Sequence, residues 1–184
     1  HIKKKFNLSD EFLLNVGTIE TRKNLISIIN AMTKMKNDIP LVVVGKKTKY
    51  MNFIKVQLKK LNFNPSKILF ISNVSIEELP GIYQLSTLFV YPSIFEGFGI
   101  PILEALNCGI PVISSKEGCF TEAGGEHSAY VNPLDEDELA AKIDHCLSDT
   151  KIREKMIIKG LKYAKKFEPE NISKQLINAY SKLL

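Results

Sequence analysis

The sequence predicts an α/β fold in which a parallel sheet of about six strands carries helices on both faces. Three observations lead there. Short apolar runs alternate about six times with longer amphipathic segments. Runs such as Leu41–Val44 (LVVV) and Leu88–Tyr91 (LFVY) are continuously apolar, as strands covered on both faces must be. Glycine-bearing loops also follow several runs, and a doubly wound, Rossmann-like sheet gathers its ligands there, outside the carboxyl ends of its strands.

Taken in order, residues 12–17 form the first strand, and residues 24–35 a helix, because Leu25, Ile28, Ile29 and Met32 recur at helical spacing. Leu41–Val44 is the second strand, ending at Gly45, and a basic helix follows over residues 49–61. The turn NFNPS leads into a third strand, Ile68–Ile71. Ser75 and Glu78 have the spacing of a capping box, which predicts a helix over residues 75–85. After the fourth strand, Leu88–Tyr91, Pro101 pre-sets a first helical turn and Gly109 with Pro111 stops the helix, so Ile100–Asn107 has only two turns. Residues 111–114 form a fifth strand, Glu122-Ala123-Gly124-Gly125 a backbone turn, and Ala129–Val131 the last strand. Asp135, Glu136 and Asp137 stand where capping and the helix dipole favour acids, ahead of a helix over residues 138–147. Their acid-x-acid pattern is therefore not read as a metal site, and no metal is expected. Helices over residues 151–167 and 169–184 close the chain, the last with Ile172, Leu176, Ile177 and Tyr180 on one stripe.

The composition fits one ordered domain spanning residues 1–184: 45% hydrophobic and 24% charged is ordinary for a globular chain and excludes disorder. Three cysteines, Cys108, Cys119 and Cys146, at no metal-like spacing point to reduced thiols and a cytoplasmic setting. No apolar run approaches the ~18 residues of a membrane span. The net charge of +5 has its clearest cluster between Lys46 and Lys60. That cluster reads as a solvated helix face; contact with an anionic membrane surface or with nucleic acid is the sharper alternative.

The most informative stretch runs from Tyr91 to Ser115, YPSIFEGFGIPILEALNCGIPVISS. Glu96-Gly97-Phe98-Gly99 lies between a strand and a helix start, where backbone N–H groups and the helix dipole favour an anion, phosphate above all. Glu104 is the only charge on a helix flanked by Ile102, Leu103, Ala105 and Leu106, so it is expected to be buried, with its donors supplied by a ligand. Upstream, Arg22 and Lys23 in GTIETRKN stand at the positive end of the first helix, an unfavourable place for cations until an anion joins them.

Glu96 and Glu104, set in PS..EGFG.P.LEA...G.PV.S, resemble the donor-site signature of the retaining GT-B glycosyltransferases of family 4. The resemblance covers nearly the whole chain but only the donor-binding half of that two-domain fold; the N-terminal acceptor domain is absent from these residues. It implies that Glu104 holds the ribose hydroxyls of a nucleotide diphosphate sugar, GDP- or UDP-linked, and that Glu96 sits by the transferred sugar. A lysine at the place of Lys23 meets the diphosphate, Gly17 allows close backbone approach, and the loop of Asn73 and Val74 meets the base. Gly97, Phe98 and Gly99 complete the donor-binding set. Where the family often has arginine after that glycine, this chain has Thr18, and Arg22 is the candidate substitute.

The resemblance further implies a metal-independent, cofactor-free hexosyltransferase of polysaccharide or glycoconjugate synthesis, with Glu96 and Lys23 at the reaction centre. GDP-mannose is favoured as donor and a glycan or lipid-linked compound as acceptor. The isolated domain is expected to bind donor without turnover, and the inner membrane surface is a possible meeting place. The alternative is a sugar-nucleotide-binding or scaffold module of the same architecture that has lost catalysis. His127, a lone polar residue beside a glycine turn, is read as surface.

Overall fold

A computed structural model describes residues 1–182 of the chain. Its single sheet has six strands: β1 (Leu13–Val16), β2 (Leu41–Val44), β3 (Ile68–Ile71), β4 (Leu88–Tyr91), β5 (Val112–Ser115) and β6 (Ala129–Val131). Every neighbouring pair is parallel, and the order is β3-β2-β1-β4-β5-β6. The chain winds outward from β1 to one edge, then returns beside β1 as β4 and winds to the other. The strand order therefore reverses between β1 and β4, and a crevice opens there above the carboxyl ends.

Side chains alternate across each strand, so a strand buried on both faces feeds two cores. Leu13, Val43, Val90 and Ile113 belong to one. It is covered by α2 (Leu25–Met32), α3 (Tyr50–Lys60) and α7 (Glu136–Ser148). Leu14, Val42, Phe89, Tyr91 and Val112 belong to the other. That side is covered by α4 (Leu79–Leu85), α5 (Ile100–Asn107), α6 (Phe120–Gly124) and the end of α8 (Thr150–Ala164). The doubly wound α/β architecture expected from the sequence is thus present, and β2, β3, β4, β6 and α5 keep the expected bounds.

Several elements differ. A short helix, α1 (Ile2–Lys5), precedes β1 and packs beside α4; Ile2 lies against Gly81. The Ser75 to Glu78 segment is a turn and not a helix start. The Glu78 carboxylate accepts from the Ser75 N–H, half of a capping box, but Pro80 lies in the first turn of α4, which begins only at Leu79. Residues 122–124, read as a turn, belong to the short helix α6, which Gly125 ends at φ +65°. Asp135 caps α7 by accepting from the Glu138 N–H at 2.8 Å, so that helix starts at Glu136.

The last helix, α9 (Pro169–Tyr180), leaves Leu176, Ile177 and Tyr180 exposed; Leu183 and Leu184 of the expected 169–184 helix lie outside the described residues. On α3, Met51, Ile54 and Leu58 are buried while Lys55, Lys59 and Lys60 face solvent, the arrangement of a solvated helix face. Among the described residues no helix is long and apolar enough to cross a membrane.

Candidate functional site

The crevice between β1 and β4 is built from two loops. After β1, Gly17 (φ +145°) turns the chain. Thr21–Lys23 then makes one 3-10 turn, and Asn24 in the left-handed region (φ 55°) starts α2 in a new direction. The Asn24 side chain fixes this break by donating to the carbonyls of Pro92 (3.0 Å) and Pro133 (2.7 Å). After β4, the loop from Pro92 to Gly99 crosses toward the first, and the Ile94 N–H donates to the Arg22 carbonyl at 2.8 Å.

The two loops close on one carboxylate. Glu96 Oε1 lies 2.7 Å from Lys23 Nζ and accepts from the Tyr91 hydroxyl at 2.9 Å. Glu96 Oε2 accepts from Arg22 at 2.6 Å. Arg22 also reaches Glu20 at 2.7 Å, and Lys23 donates to the Tyr91 hydroxyl. Burial pushes the Glu96 carboxyl up, but the hydrogen bonds from Lys23, Arg22 and Tyr91 outweigh it and hold the group below its usual value. The bond to Glu96 in turn raises Arg22, against desolvation.

Here the structure corrects the expectation for the two cations. They do not stand unpaired at the start of α2: they occupy a separate 3-10 turn, Lys23 is 8% exposed, and the anion beside them in the free chain is Glu96. Desolvation explains the pairing, since a buried ammonium without a partner is costly. Gly17 sits against this lysine, and a Cβ there would fall 3.1 Å from Lys23 Cε.

Glu104 is corrected as well. It is half-buried on α5, and a donor comes from the chain itself, the Tyr83 hydroxyl of α4 at 2.9 Å. Burial, then the neighbouring Glu104 charge, raise the Tyr83 phenol well above its usual value. Gly99 (φ +102°) is the N-cap of α5, as its position in the motif requires, while Gly97 is exposed with nothing near the place of its Cβ. Phe98 turns inward and meets Phe167 edge-on at 5.5 Å. Asn73 and Val74 follow β3, at the sheet edge two strands from β1. Asn73 is exposed and Val74 packs on the core.

Sequence reading missed Tyr83, Tyr91 and Asn24. A polar-tipped tyrosine ending the run LFVY was the available signal for Tyr91; nothing local marked Tyr83. It also missed Ser93, whose hydroxyl is buried with no hydrogen-bond partner among the described residues. No group of three or more His, Cys, Asp or Glu that could hold a metal ion is found among the described residues. A concavity of about 730 Å³ lies elsewhere, between α6, β6 and α8. It is lined by His127, Tyr130, Tyr163 and three lysines, and shares no lining residue with the Glu96 cluster. Opposed charges converge in the Glu96 cluster at the sheet's switch point, which makes the cluster the candidate site.

The chain resembles known proteins along its length. O-antigen chain mannosyltransferase B of Escherichia coli is 35% identical over 189 residues, covering 99% of this chain and 49% of that protein. The crystal structure of the C-terminal domain of a glycosyl transferase group 1 family protein (LpcC) from Francisella tularensis superposes with a TM-score of 0.76 at 26% identity, covering 90% of each chain. Sucrose-phosphate synthase from Thermosynechococcus elongatus superposes with a TM-score of 0.84 at 26% identity over 99% of this chain and 48% of that one. The chain thus spans about half the length, or less, of the first curated relatives it matches. The family model described as glycosyl transferases group 1 matches residues 1–163, and the chain belongs to that family.

Proposed function

We propose that this chain is the donor-binding half of a hexosyltransferase of polysaccharide synthesis. It moves a hexose from a nucleotide diphosphate sugar to a glycan or lipid-linked acceptor, with retained configuration and without a metal ion. One observation carries the reading: Lys23 and Arg22 converge on Glu96 in the crevice at the switch point. An arriving diphosphate carries more negative charge than the single carboxylate. The two cations exchange onto it and stabilise it as it leaves the sugar. Glu96, released from its cations, accepts from sugar hydroxyls, and Glu104 accepts from the ribose diol, as charged hydrogen bonds favour. Gly97 to Gly99 bring the backbone close, and Asn73 and Val74 lie on the side where the base would rest.

The likeness to an O-antigen mannosyltransferase supports mannose, carried on GDP, as the first donor to try. The acceptor is brought by the facing domain, and holding two reactants in line supplies ~7–11 kcal/mol of such a barrier. This chain alone therefore binds donor without turnover. A thermal-shift panel of GDP, UDP and their sugars tests the reading. At 100 times its dissociation constant the right ligand stabilises by about 2.7 kcal/mol. For a chain of this size that is a rise of roughly 5–10 °C in Tm. An unmoved Tm across the panel overturns the assignment.

A further inference from the structure

The Glu96 cluster contains one polar group that is neither cation nor carboxylate, the Tyr91 hydroxyl. Tyr91 ends β4 with no exposed surface. Its ring stacks on Phe89 at 5.5 Å and meets Phe120 edge-on at 6.4 Å, so close packing leaves it no room to swing. Burial, then the charge of Glu96, push its phenol well above the usual value, so the proton stays on the oxygen and remains available to donate. It is spent on Glu96 Oε1 at 2.9 Å, while the same hydroxyl accepts from Lys23.

The other two partners of Glu96 are of a different kind. Lys23 and Arg22 are long side chains, and in the donor-site reading above both turn to the diphosphate. A carboxylate deserted by its cations would be left part-buried and free to rotate. Tyr91 cannot leave, because its ring is wedged in the core and no phosphate contact is open to a buried phenol. Resting on that reading, we propose that Tyr91 is a positioning residue: its hydroxyl keeps the Glu96 carboxylate aimed at the donor sugar once the diphosphate has taken Lys23 and Arg22. Tyr83 is its counterpart for the other glutamate. Tyr83 meets Phe89 edge-on at 5.4 Å and donates to Glu104 at 2.9 Å, so Tyr83, Phe89 and Tyr91 form one row carrying a hydroxyl to each carboxylate.

The two tyrosines separate the two roles in one experiment. Calorimetric titrations of the chain with GDP and GDP-mannose, and with UDP and UDP-glucose, give the affinity gained from the sugar. Tyr91→Phe keeps the ring and removes only the hydroxyl. It is expected to lower the affinity for the sugar nucleotide about tenfold relative to its parent diphosphate, the worth of one hydrogen bond to a charged group. Tyr83→Phe is expected to weaken both members of a pair alike, leaving their ratio unchanged. A general loss of packing by Tyr91→Phe would lower both affinities together, and that result overturns the positioning role, as does an unchanged ratio. Failure of the unmodified chain to bind either pair rejects the donor-site reading and Tyr91's role with it; binding with an unchanged ratio in Tyr91→Phe rejects only the latter.

Discussion

Replacing Gly45 by alanine tests the construction of the site without touching any ionised group. Gly45 directly follows β2, beside the turn at Gly17. A Cβ built on it would lie 1.9 Å from the Gly17 carbonyl oxygen and 2.6 Å from its carbon, where ordinary contact begins at 3.4 Å. The obstacle is backbone, so no rotamer change relieves it. The two strand ends must part by about 1.5 Å. That strains the bonds from Gly17 N–H to Val44 and from Gly45 N–H to Ile71, each 2.9 Å long. Overpacking of this kind costs about 1–3 kcal/mol. The displacement also travels into the site, since Gly17 touches the Lys23 stem. Urea unfolding of Gly45→Ala should show a lower midpoint with an unchanged slope, and calorimetry should show weakened nucleoside diphosphate binding. Gly97→Ala is the matched control: its Cβ meets nothing within 4 Å, so its stability should stay within about 0.5 kcal/mol of the parent. A Gly45→Ala protein with parental midpoint and affinity would refute the claim that this contact sets the Gly17 turn.

Three further outcomes are expected. Glu104→Gln should weaken nucleoside diphosphate binding by about 1.5–3 kcal/mol, measured by calorimetry, while leaving the thermal transition in place. Lys23→Ala should reduce affinity for the diphosphate much more than for the nucleoside, since only the former carries the charge that Lys23 meets; equal losses would mark it as a support of the fold. Glu96 has a lowered folded pKa, so its stabilisation is fully present above the ordinary carboxyl value of 4.5 and is lost as pH falls through the lower folded value. The stability gap between the parent and Glu96→Gln, from urea unfolding, should therefore be constant near neutrality and close in acid; a gap that widens in acid contradicts the assigned shift.

The sheet and α5 were legible because their signals are local. A four-residue apolar run marks each of β2, β3 and β4, and Pro101 with Gly109 brackets α5. The pairing inside the site was not legible. Arg22 and Glu96 are 74 residues apart, and only the return of β4 beside β1 joins them. Helix position singled out Arg22 and Lys23, and the loop with its family signature singled out Glu96, without showing that the three pair with one another. Glu104 was placed correctly on its helix, but its donor Tyr83 comes from a different one. The α6 segment, with two adjacent glycines, looked like a turn because the packing of Phe120 and Ala123 into the core, which holds the helix, is a tertiary effect. The need for glycine at position 45 was equally hidden: it arises from the Gly17 carbonyl, in the turn after β1.

The neighbouring of β1 and β4 also bears on how the molecule opens. These strands join the first half of the sheet, β1 to β3, to the second, β4 to β6, and the Glu96 cluster straddles that seam. A partial unfolding that parts the halves would destroy the crevice outright, whereas fraying at β3 or β6 would leave it standing. A ligand held across the seam opposes the first kind of opening and is indifferent to the second. Its protection of amide hydrogens from exchange would then be greatest along β1 and β4 and would fade toward the sheet edges, so that the bound molecule acts as a clasp between two cooperative units.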